Sequence, residues 1–331
     1  MSESRITILR PSDPEAPYAV PPGLEQLSGR AEIRLTDAEN LPEDIAGADA
    51  LFLWDFFSGA LEQAWPQADR LKWIHVAAAG VDTLLFDQLR DSEVTVTNSQ
   101  GVFDRPIAEW VLGAVLAHAK DFHGNFQLKT TKTWAHRETA RVQGSAALVI
   151  GTGAIGREIA RLLTAVGVKV TGAGRTARDA DSDFGTVIAS ESMAQHVADY
   201  DIIVNAAPLT PATAGLIGAE TLAAVKPGAH LVNIGRGASV DQQALVSALR
   251  HGPLGFASLD VFEEEPLPAD SELWELENVM IAPHMSGDVH GWRDSLAELF
   301  IENAQRWLDG KDLLNVVDKD KGYVPGKRSA S

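Results

Sequence analysis

A glycine-rich turn lies near the middle of the chain, within the segment LVIGTGAIGREIARLL. Its glycines follow the pattern G-x-G-x-x-G, with an apolar run before them and a helix-forming segment after them. Such glycines allow a tight turn and let the backbone approach a pyrophosphate, to which the following helix offers its N-terminal amides and positive dipole end. We therefore interpret this turn as a dinucleotide-binding site rather than an ordinary tight turn. The predicted cofactor-binding residues here are Gly151, Gly153, Ala154, Ile155 and Gly156.

The end of the next strand predicts which dinucleotide binds. An acidic residue there, about 20 positions beyond the turn, would bond the ribose hydroxyls and favour NAD. This chain has Gly174 instead, followed by Arg175 and Thr176 in VKVTGAGRTAR. Small, cationic and hydroxyl groups suit a 2′-phosphate, and Arg178 adds a second positive charge. The prediction is NADP(H) as the preferred cofactor and NAD(H) as the alternative; the competing interpretation is a solvated basic loop.

A carboxylate-rich segment, LDVFEEEPLP, occupies residues 259–268. It carries Asp260, Glu263, Glu264 and Glu265. A chain with a formal net charge of −18 gains little solubility from four more carboxylates in one place. The segment is therefore either a solvated loop or the position of a catalytic carboxylate, and by itself it leaves both interpretations open.

Seven motifs follow one another along the chain in an order that is typical of one enzyme family. They are WIHVAAAGVDTLL, NSQGVFDRPIAEW, GTGAIG, APLTPATAGLIG, VNIGRGASVDQQAL, LDVFEEEPLP and APHMSG. Their order, and above all the spacing of the last three, resembles the D-2-hydroxyacid dehydrogenases over most of the chain. Members of that family use an arginine, a glutamate and a histidine. Matched motif by motif, the resemblance implies that the catalytic residues are Arg236, Glu265 and His284.

The implied reaction, reduction of a 2-keto acid, needs these residue types. It adds a hydride and a proton to a carbonyl group, and His284 can supply the proton near neutral pH and take it back in the reverse direction. Glu265 would stabilise the imidazolium and hold its orientation. Arg236 offers a rigid fork of donors for the substrate carboxylate. Glu263 and Glu264 match variable positions of the family and are expected to face solvent.

The resemblance also implies residues that bind the substrate and the rest of the cofactor. In the first domain, HVAAAGVD resembles the loop whose backbone amides bind the substrate carboxylate, together with Arg236 and His284. The candidates in that loop are Ala78, Ala79, Gly80 and Val81. Asp260 is implied to contact the nicotinamide carboxamide. The remaining implied cofactor-binding residues are Ala207, Pro208, Thr213, Ile234, Gly235 and Ser286. The loop WDFFSG and Trp292 either line the side-chain pocket or pack in the core.

Short β-rich apolar runs alternate with helical patterns from start to finish, which predicts parallel sheets with right-handed crossovers. The candidate strands form two series, 6–9, 32–35, 50–54, 72–76 and 94–97, and then 147–150, 168–172, 201–205, 230–234, 255–260 and 278–282. The predicted fold class is α/β, with two doubly wound parallel-sheet domains. The resemblance implies a Rossmann nucleotide-binding domain, residues 103–288, inserted into a flavodoxin-like substrate domain made of 1–102 and 289–331. A cleft between them would close over the substrate.

Two long helices are predicted outside the strand pattern. In the segment 103–122, Asp104 can cap the helix and Pro106 fits its first turn. This helix is apolar on nearly every face and must be buried on more than one side, between domains or between subunits. The amphipathic segment from about 290 to 309 could carry the chain back onto the first domain. The resemblance implies a homodimer built on the 103–122 helix and the following arm, with Trp134 as an anchor.

Composition limits the partners and the compartment. The net charge of −18 argues against nucleic acid and anionic membranes, because both attract basic surfaces. No apolar run approaches the ~18 residues of a membrane span, and the N-terminus has no signal-peptide pattern. The absence of cysteine excludes disulfides and cysteine metal sites and fits a reducing compartment. We expect a cytoplasmic enzyme of a small 2-keto or D-2-hydroxy acid, with no metal, and a short disordered tail at GKRSAS.

Other functions fit the same fold less well. A nicotinamide-sensing scaffold resembling the C-terminal-binding corepressors can keep all three catalytic residues, but the acidic balance and the lack of a disordered interaction tail argue against it. Formate-oxidising relatives carry glutamine where Glu265 stands, and phosphite-oxidising relatives carry lysine in the loop that here reads VAAAG. The substrate itself stays open, because glyoxylate, hydroxypyruvate, pyruvate, phenylpyruvate and branched 2-keto acids share the group that Arg236 would hold.

Overall fold

The computed structural model describes residues 4–325, so the predicted GKRSAS tail lies outside the described residues. The chain divides into two compact units. Unit 1 comprises the described residues up to Phe103 and those from Val289 onward, and unit 2 comprises Asp104–Asp288. The substrate-binding and nucleotide-binding roles expected for the two domains remain predictions.

Unit 1 contains a five-stranded parallel sheet. Its strands are β1 (Ser4–Leu9), β2 (Ala31–Thr36), β3 (Ala50–Leu53), β4 (Trp73–Val76) and β5 (Thr95–Thr97), in the spatial order β2-β1-β3-β4-β5. The helices between them are α1 (Leu41–Asp44), α2 (Ala60–Ala64) and α3 (Asp87–Arg90). Every residue of β3 and β4 is buried, as expected for central strands of a sheet that is covered on both faces.

Unit 2 contains an eight-stranded sheet. It begins with the helices α4 (Asp104–Ala119) and α5 (Phe122–Thr130) and then includes β6 (Ala146–Ile150), α6 (Ala154–Ala165), β7 (Lys169–Gly174), β8 (Arg178–Asp181), β9 (Gly185–Ala189), β10 (Ile202–Asn205), α7 (Ala219–Ala224), β11 (Ala229–Asn233), α8 (Gln242–His251), β12 (Leu254–Leu259) and β13 (Val279–Ile281). The spatial order is β13-β12-β11-β10-β6-β7-β9-β8. The strand order reverses between β6 and β10, and nucleotides bind at such switch points in doubly wound sheets.

The predicted fold class is confirmed, and each apolar run that was predicted as a strand forms one. The sequence prediction missed the hairpin of β8 and β9, which is the antiparallel part of the second sheet. Short 3-10 turns complete the connections at Leu24–Leu27, Trp65–Gln67, Ser190–Gln195, Val197–Asp199, Gly237–Ser239 and Glu272–Glu275. Within residues 4–325, the helices are too short or too polar to cross a membrane.

The helix α4 begins at Asp104, has Pro106 in its first turn and packs against α6. Its Ala108, Val111 and Val115 are buried in the core that α6 and the sheet share. Ile107, Trp110 and Leu112 are only partly buried. The expected burial on more than one side is therefore incomplete within a single chain.

The helix α9 (Trp292–Leu308) belongs to unit 1, so the chain does return to its first domain as predicted. Phe300 on this helix stacks on Phe52 with a ring distance of 3.9 Å and lies 5.8 Å from the ring of Trp73. All three rings are fully buried. An aromatic contact between α9 and the central strands thus closes the core of unit 1.

Candidate active site

The turn between β6 and α6 has the geometry of a phosphate cradle. A Cβ atom on Gly156 would lie 1.9 Å from the carbonyl oxygen of Gly151, so only glycine fits there. A Cβ on Gly153 would meet no heavy atom within 4 Å, which leaves open space above the turn. Gly153 also caps α6 without a side-chain hydrogen bond to the helix amides in the described structure. The first amides of α6 are therefore available to a pyrophosphate group.

The position expected to choose between the cofactors lies beside this turn. Gly174 is the last residue of β7, and a Cβ built on it would lie 3.2 Å from the Oγ1 atom of Thr152. Arg175 and Thr176 follow on the surface. The structure thus places Gly174 against the phosphate cradle, with Arg175 and Thr176 next to it.

The sequence interpretation gave Arg178 as a second positive charge for the 2′-phosphate, and in the structure this side chain bonds Asp181. Its Nε and Nη2 atoms both donate to Asp181, at 2.9 and 2.8 Å, and the two amino groups of Arg157 donate to the same carboxylate at 2.9 Å. Arg157 also bonds Asp183 at 2.7 Å. These hydrogen bonds, Arg157's first, outweigh burial and hold the pKa of Asp181 well below its usual range. Arg178 therefore fixes the hairpin, and Arg175 remains the candidate for a phosphate ligand.

His284 and Glu265 form a hydrogen-bonded pair at the carboxyl end of β12 and β13. The segment after β13 returns to the segment after β12, because the amide of His284 donates to the carbonyl of Asp260 at 2.9 Å. His284 Nδ1 then lies 2.7 Å from Glu265 Oε2. The other carboxylate oxygen accepts from the amide of Phe262 at 2.9 Å. One carboxylate of the acidic run is therefore held in place against an imidazole.

The two side chains shift each other's pKa in opposite directions. The hydrogen bond that His284 donates to Glu265 raises the pKa of His284 above its ordinary value, against the opposing effect of burial. Burial acts to raise the pKa of Glu265, but hydrogen bonds from His284 and Phe262 outweigh it, so the net shift is downward. The two side chains are 38% and 33% exposed, so water partly screens their interaction. Because Nδ1 is paired with Glu265, the predicted role of His284 as proton donor would fall to Nε2.

Arg236 follows β11 and lies beside the same turn. A Cβ on the next residue, Gly237, would lie 1.8 Å from the carbonyl group of Phe262, so the two backbones are in direct contact. The Nη1 atom of Arg236 donates to the carbonyl of Gly235 at 2.9 Å. Its positive charge helps to lower the pKa of Glu265. At His284 the same charge opposes the upward shift that Glu265 causes. The structure thus brings the three predicted catalytic residues together within unit 2.

The other acids of the run have structural contacts of their own. Asp260 is 1% exposed, and its two oxygens accept from the amides of Met285 at 2.8 Å and Ser286 at 3.0 Å. It therefore fixes the backbone just after His284, while its contact with a nicotinamide carboxamide remains a prediction. Glu263 and Glu264 are exposed as expected, although Glu263 also accepts from the amide of Gln242 at the start of α8.

The remaining predicted cofactor residues lie in the loops after β10 and β11. Thr213 bonds the carbonyl of Pro208 at 2.6 Å and so closes the loop that follows β10. Ala207 and Ile234 are buried, and a Cβ on Gly235 would lie 2.8 Å from the carbonyl oxygen of Ala207. The two loops are therefore in contact at the carboxyl edge of the sheet.

The predicted substrate loop follows β4 in unit 1. Ala78, Ala79 and Gly80 are partly exposed, whereas the side chain of Val81 is buried in the core. Residues after β5 fix the loop: the amide of Ser99 donates to the carbonyl of Ala78 at 2.9 Å, and the side chain of Asn98 donates to that of Ala79 at 2.5 Å. The loop is thus tied to the residues after β5, and its contact with a carboxylate remains a prediction.

The aromatic residues expected in a side-chain pocket or in the core lie in contact with one another. Trp292 packs 5.9 Å from Phe103 and 6.3 Å from Phe56, while Phe57 is 77% exposed. Arg293 lies 4.4 Å from the ring of Trp292. The loop after β3 and the start of α9 therefore form an aromatic cluster in unit 1 that is only partly core.

Sequence reasoning missed a buried polar cluster beside Arg236. It consists of Asn205, Asn233 and Ser239, whose side chains are at most 1% exposed. One signal was present in the sequence. The two apolar strands DIIVN and HLVNI each carry an asparagine near their carboxyl end, and buried polar residues at such positions require partners.

Comparison with known proteins agrees with the fold. The family profile for the D-isomer specific 2-hydroxyacid dehydrogenase, NAD binding domain, matches residues 112–286. The glyoxylate reductase of Thermococcus gammatolerans is 31% identical, over 90% of this chain and 91% of its own. Two crystal structures superpose over 97% of this chain and the whole of theirs. One is a D-isomer specific 2-hydroxyacid dehydrogenase from Xanthobacter autotrophicus Py2 in complex with NADPH and MES, 30% identical with a TM-score of 0.82. The other is an NADPH-dependent glyoxylate/hydroxypyruvate reductase from Sinorhizobium meliloti, 26% identical with a TM-score of 0.81.

These likenesses extend over both units, and the profile match covers more than half of the chain. They agree with the motif order, the doubly wound sheets and the cradle at the start of α6. The chain therefore belongs to the D-isomer specific 2-hydroxyacid dehydrogenases, NAD(P)-dependent oxidoreductases that act on the CH–OH group of 2-hydroxy acids.

Proposed function

We propose that this enzyme reduces a small 2-keto acid to the D-2-hydroxy acid and prefers NADPH to NADH. The observation that carries the proposal is the 2.7 Å contact between His284 Nδ1 and Glu265 Oε2, next to the backbone of Arg236. The relatives named as glyoxylate and hydroxypyruvate reductases support a small substrate. The cysteine-free sequence remains the support for a cytoplasmic location.

The amides at the start of α6 and the residues Gly174, Arg175 and Thr176 would hold the dinucleotide. When bound, the reduced nicotinamide supplies the hydride for the carbonyl carbon. Arg236 binds the substrate carboxylate through two parallel hydrogen bonds and polarises the carbonyl group. His284 donates its Nε2 proton to the carbonyl oxygen, and Glu265 stabilises the imidazolium before that transfer. In the oxidative direction, neutral His284 accepts the hydroxyl proton.

The substitution Glu265→Gln is expected to move the pH profile of the reductive reaction to lower pH. The carboxylate favours the protonated imidazole, so its loss lowers the pKa of His284 and the proton donor is depleted at a lower pH. The oxidative reaction needs neutral His284, so its rise with pH should also begin at lower pH. The dependence of kcat/KM on pH in both directions measures the change.

The neighbouring acids provide matched controls for this prediction. Glu264 is exposed, and an amide at position 263 can still accept from Gln242. Glu263→Gln and Glu264→Gln should therefore leave the pH profile in place. If all three variants behave alike, the acidic run is only a surface feature.

A panel of 2-keto acids, each assayed with NADPH and with NADH, tests the proposed function. Glyoxylate, hydroxypyruvate, pyruvate, phenylpyruvate and a branched 2-keto acid cover the range of side chains. Turnover with at least one acid, and with higher kcat/KM for NADPH, is the expected result. No turnover with any acid and either cofactor would refute the proposal and favour the sensing scaffold.

We also propose that the enzyme is a homodimer built on α4 and on the segment that follows it, which includes α5 and Trp134. Apolar side chains are exposed along this segment: Phe122 is 50% exposed, Phe126 67% and Trp134 101%. Large exposed apolar side chains in one region mark an interaction surface. Light scattering should give twice the 35.5 kDa of the chain, and Trp134→Glu should shift the mass toward that of a monomer. A wild-type protein that is monomeric at micromolar concentration would contradict this assignment.

A further inference from the structure

The buried polar cluster joins the ends of two neighbouring strands. Asn205 ends β10 and Asn233 ends β11, and the two residues are paired in the register of the sheet. The Nδ2 atom of Asn205 donates to Asn233 Oδ1 at 2.8 Å and to the Oγ atom of Ser239 at 2.6 Å. Because unbonded polar groups are costly to bury, these three side chains are compatible with the core only as a connected set.

The cluster ends on the backbone of Arg236. The carbonyl oxygen of Arg236 accepts from Ser239 Oγ at 2.5 Å, from the amide of Ser239 at 3.2 Å and, more weakly, from Asn233 Nδ2 at 3.4 Å. A carbonyl held by three donors fixes the backbone dihedrals of its residue. Those dihedrals determine the direction in which the Cα–Cβ bond of Arg236 leaves the loop.

The same cluster also touches the loops predicted to bind the cofactor. Asn205 Oδ1 accepts from the amide of Ala207 at 3.3 Å, and Asn233 Oδ1 accepts from the amide of Gly235 at 3.3 Å. The orientation of Arg236 and the backbone of both loops are therefore set by one group of side chains.

We propose that Asn205, Asn233 and Ser239 are positioning residues that aim the guanidinium group of Arg236 at the substrate carboxylate. This inference rests on the proposed function. Its physical basis is that a bidentate pair between arginine and a carboxylate tolerates little angular error. A core that needed only stability could use apolar side chains of the same volume at these positions. The cluster instead places its hydrogen bonds on the backbone of the residue that would bind the substrate.

Ser239→Ala is the sharpest test, because it removes the hydroxyl donor and leaves the amide of Ser239 bonded to Arg236. We expect kcat/KM for the best 2-keto acid of the panel to fall about tenfold, the usual worth of one hydrogen bond. The Kd for NADPH, measured by fluorescence, should change less than about twofold. Ser239→Cys keeps the volume but donates weakly, so it should show an intermediate loss and serves if the alanine variant folds poorly.

A matched control and a double variant separate positioning from stability. Ser258 is also fully buried, and its hydroxyl bonds His230 at 2.9 Å, so Ser258→Ala should leave kcat/KM nearly unchanged. In an Arg236→Lys background there is no guanidinium group to position. Ser239→Ala should then lower kcat/KM by less than about twofold. Strong non-additivity of this kind is the signature of two residues that act together.

The outcomes are distinct. Equal losses from Ser239→Ala in the Arg236 and Arg236→Lys backgrounds, or no loss in either, would overturn the positioning role while leaving the proposed function intact. A Ser258→Ala variant as impaired as Ser239→Ala would also overturn it, because the effect would then be one of core stability. A wild-type enzyme that reduces no 2-keto acid would overturn the proposed function, and with it this inference.

Discussion

His284→Ala is expected to lower kcat for 2-keto acid reduction by roughly 10²- to 10⁴-fold, the usual contribution of a general acid. The side chain removed is the one whose pKa Glu265 raises, so the wild-type enzyme keeps its proton donor to higher pH than an isolated imidazole would. Reduction should therefore decline as pH rises through this raised pKa, and the alanine variant should lack that decline. Steady-state kinetics across pH measures both effects.

Binding of the cofactor provides the internal control for this variant. The Kd for NADPH should barely change, because the phosphate cradle lies at the start of α6 and not at the His284 loop. His251, exposed at the end of α8, is a suitable control histidine, and His251→Ala should behave like the wild type. A His284→Ala enzyme that keeps more than half of the wild-type kcat would exclude His284 as the acid.

Arg175→Ala is expected to weaken the binding of NADPH by roughly 10- to 150-fold and to leave the binding of NADH nearly unchanged. A charge-assisted hydrogen bond to the 2′-phosphate is worth roughly 1.5–3 kcal/mol, and about 1.4 kcal/mol corresponds to tenfold in affinity. NADH lacks the 2′-phosphate, so its affinity should not change in this variant. Arg178→Ala is the matched control, since Arg178 is bonded to Asp181, and its effect on NADPH should be smaller.

Gly174→Asp should go further and reverse the preference toward NADH. The new carboxylate would repel the 2′-phosphate and could accept the ribose hydroxyls. Its Cβ would lie 3.2 Å from Thr152 Oγ1, so Thr152 must move slightly, and a Thr152→Ala background relieves this contact. The ratio of kcat/KM for NADPH and NADH decides the matter. A clear NADH preference in the wild type would refute the argument before any variant is made.

The apolar runs were sufficient to predict eleven of the thirteen strands of the described structure. They did not predict the β8–β9 hairpin, for a physical reason. Residues 178–181 read RDAD, and their fold depends on Asp181 accepting from Arg157, which lies on α6, 24 residues earlier. A strand held by distant ion pairs has no local hydrophobic pattern. Arg178 bonds Asp181, only three residues along the chain, and the sequence analysis did not identify this pair.

The site was predicted through the order of its motifs, and not through local pattern. Nothing in the sequence between Glu265 and His284 shows that their side chains meet; adjacent parallel strands bring them together. His284 also has a positive φ of 51°, a strained conformation for a residue other than glycine that sequence does not reveal. The cluster around Ser239 escaped prediction because hydroxyl and amide side chains at strand ends resemble ordinary turn residues.

The charged hairpin has a consequence for the solution behaviour of the protein. In the described structure, β8 forms one edge of the eight-stranded sheet, and the opposite edge is β13, with only three residues. Exposed edges invite strands of other molecules to pair with them, which is a route to aggregation. A strand that paired with β8 would have to approach Arg178 and Asp179 and strip water from them. The charged strand beside the loop that we propose to select the cofactor thus also protects the sheet edge. Substitutions that remove its charges should therefore be checked for solubility.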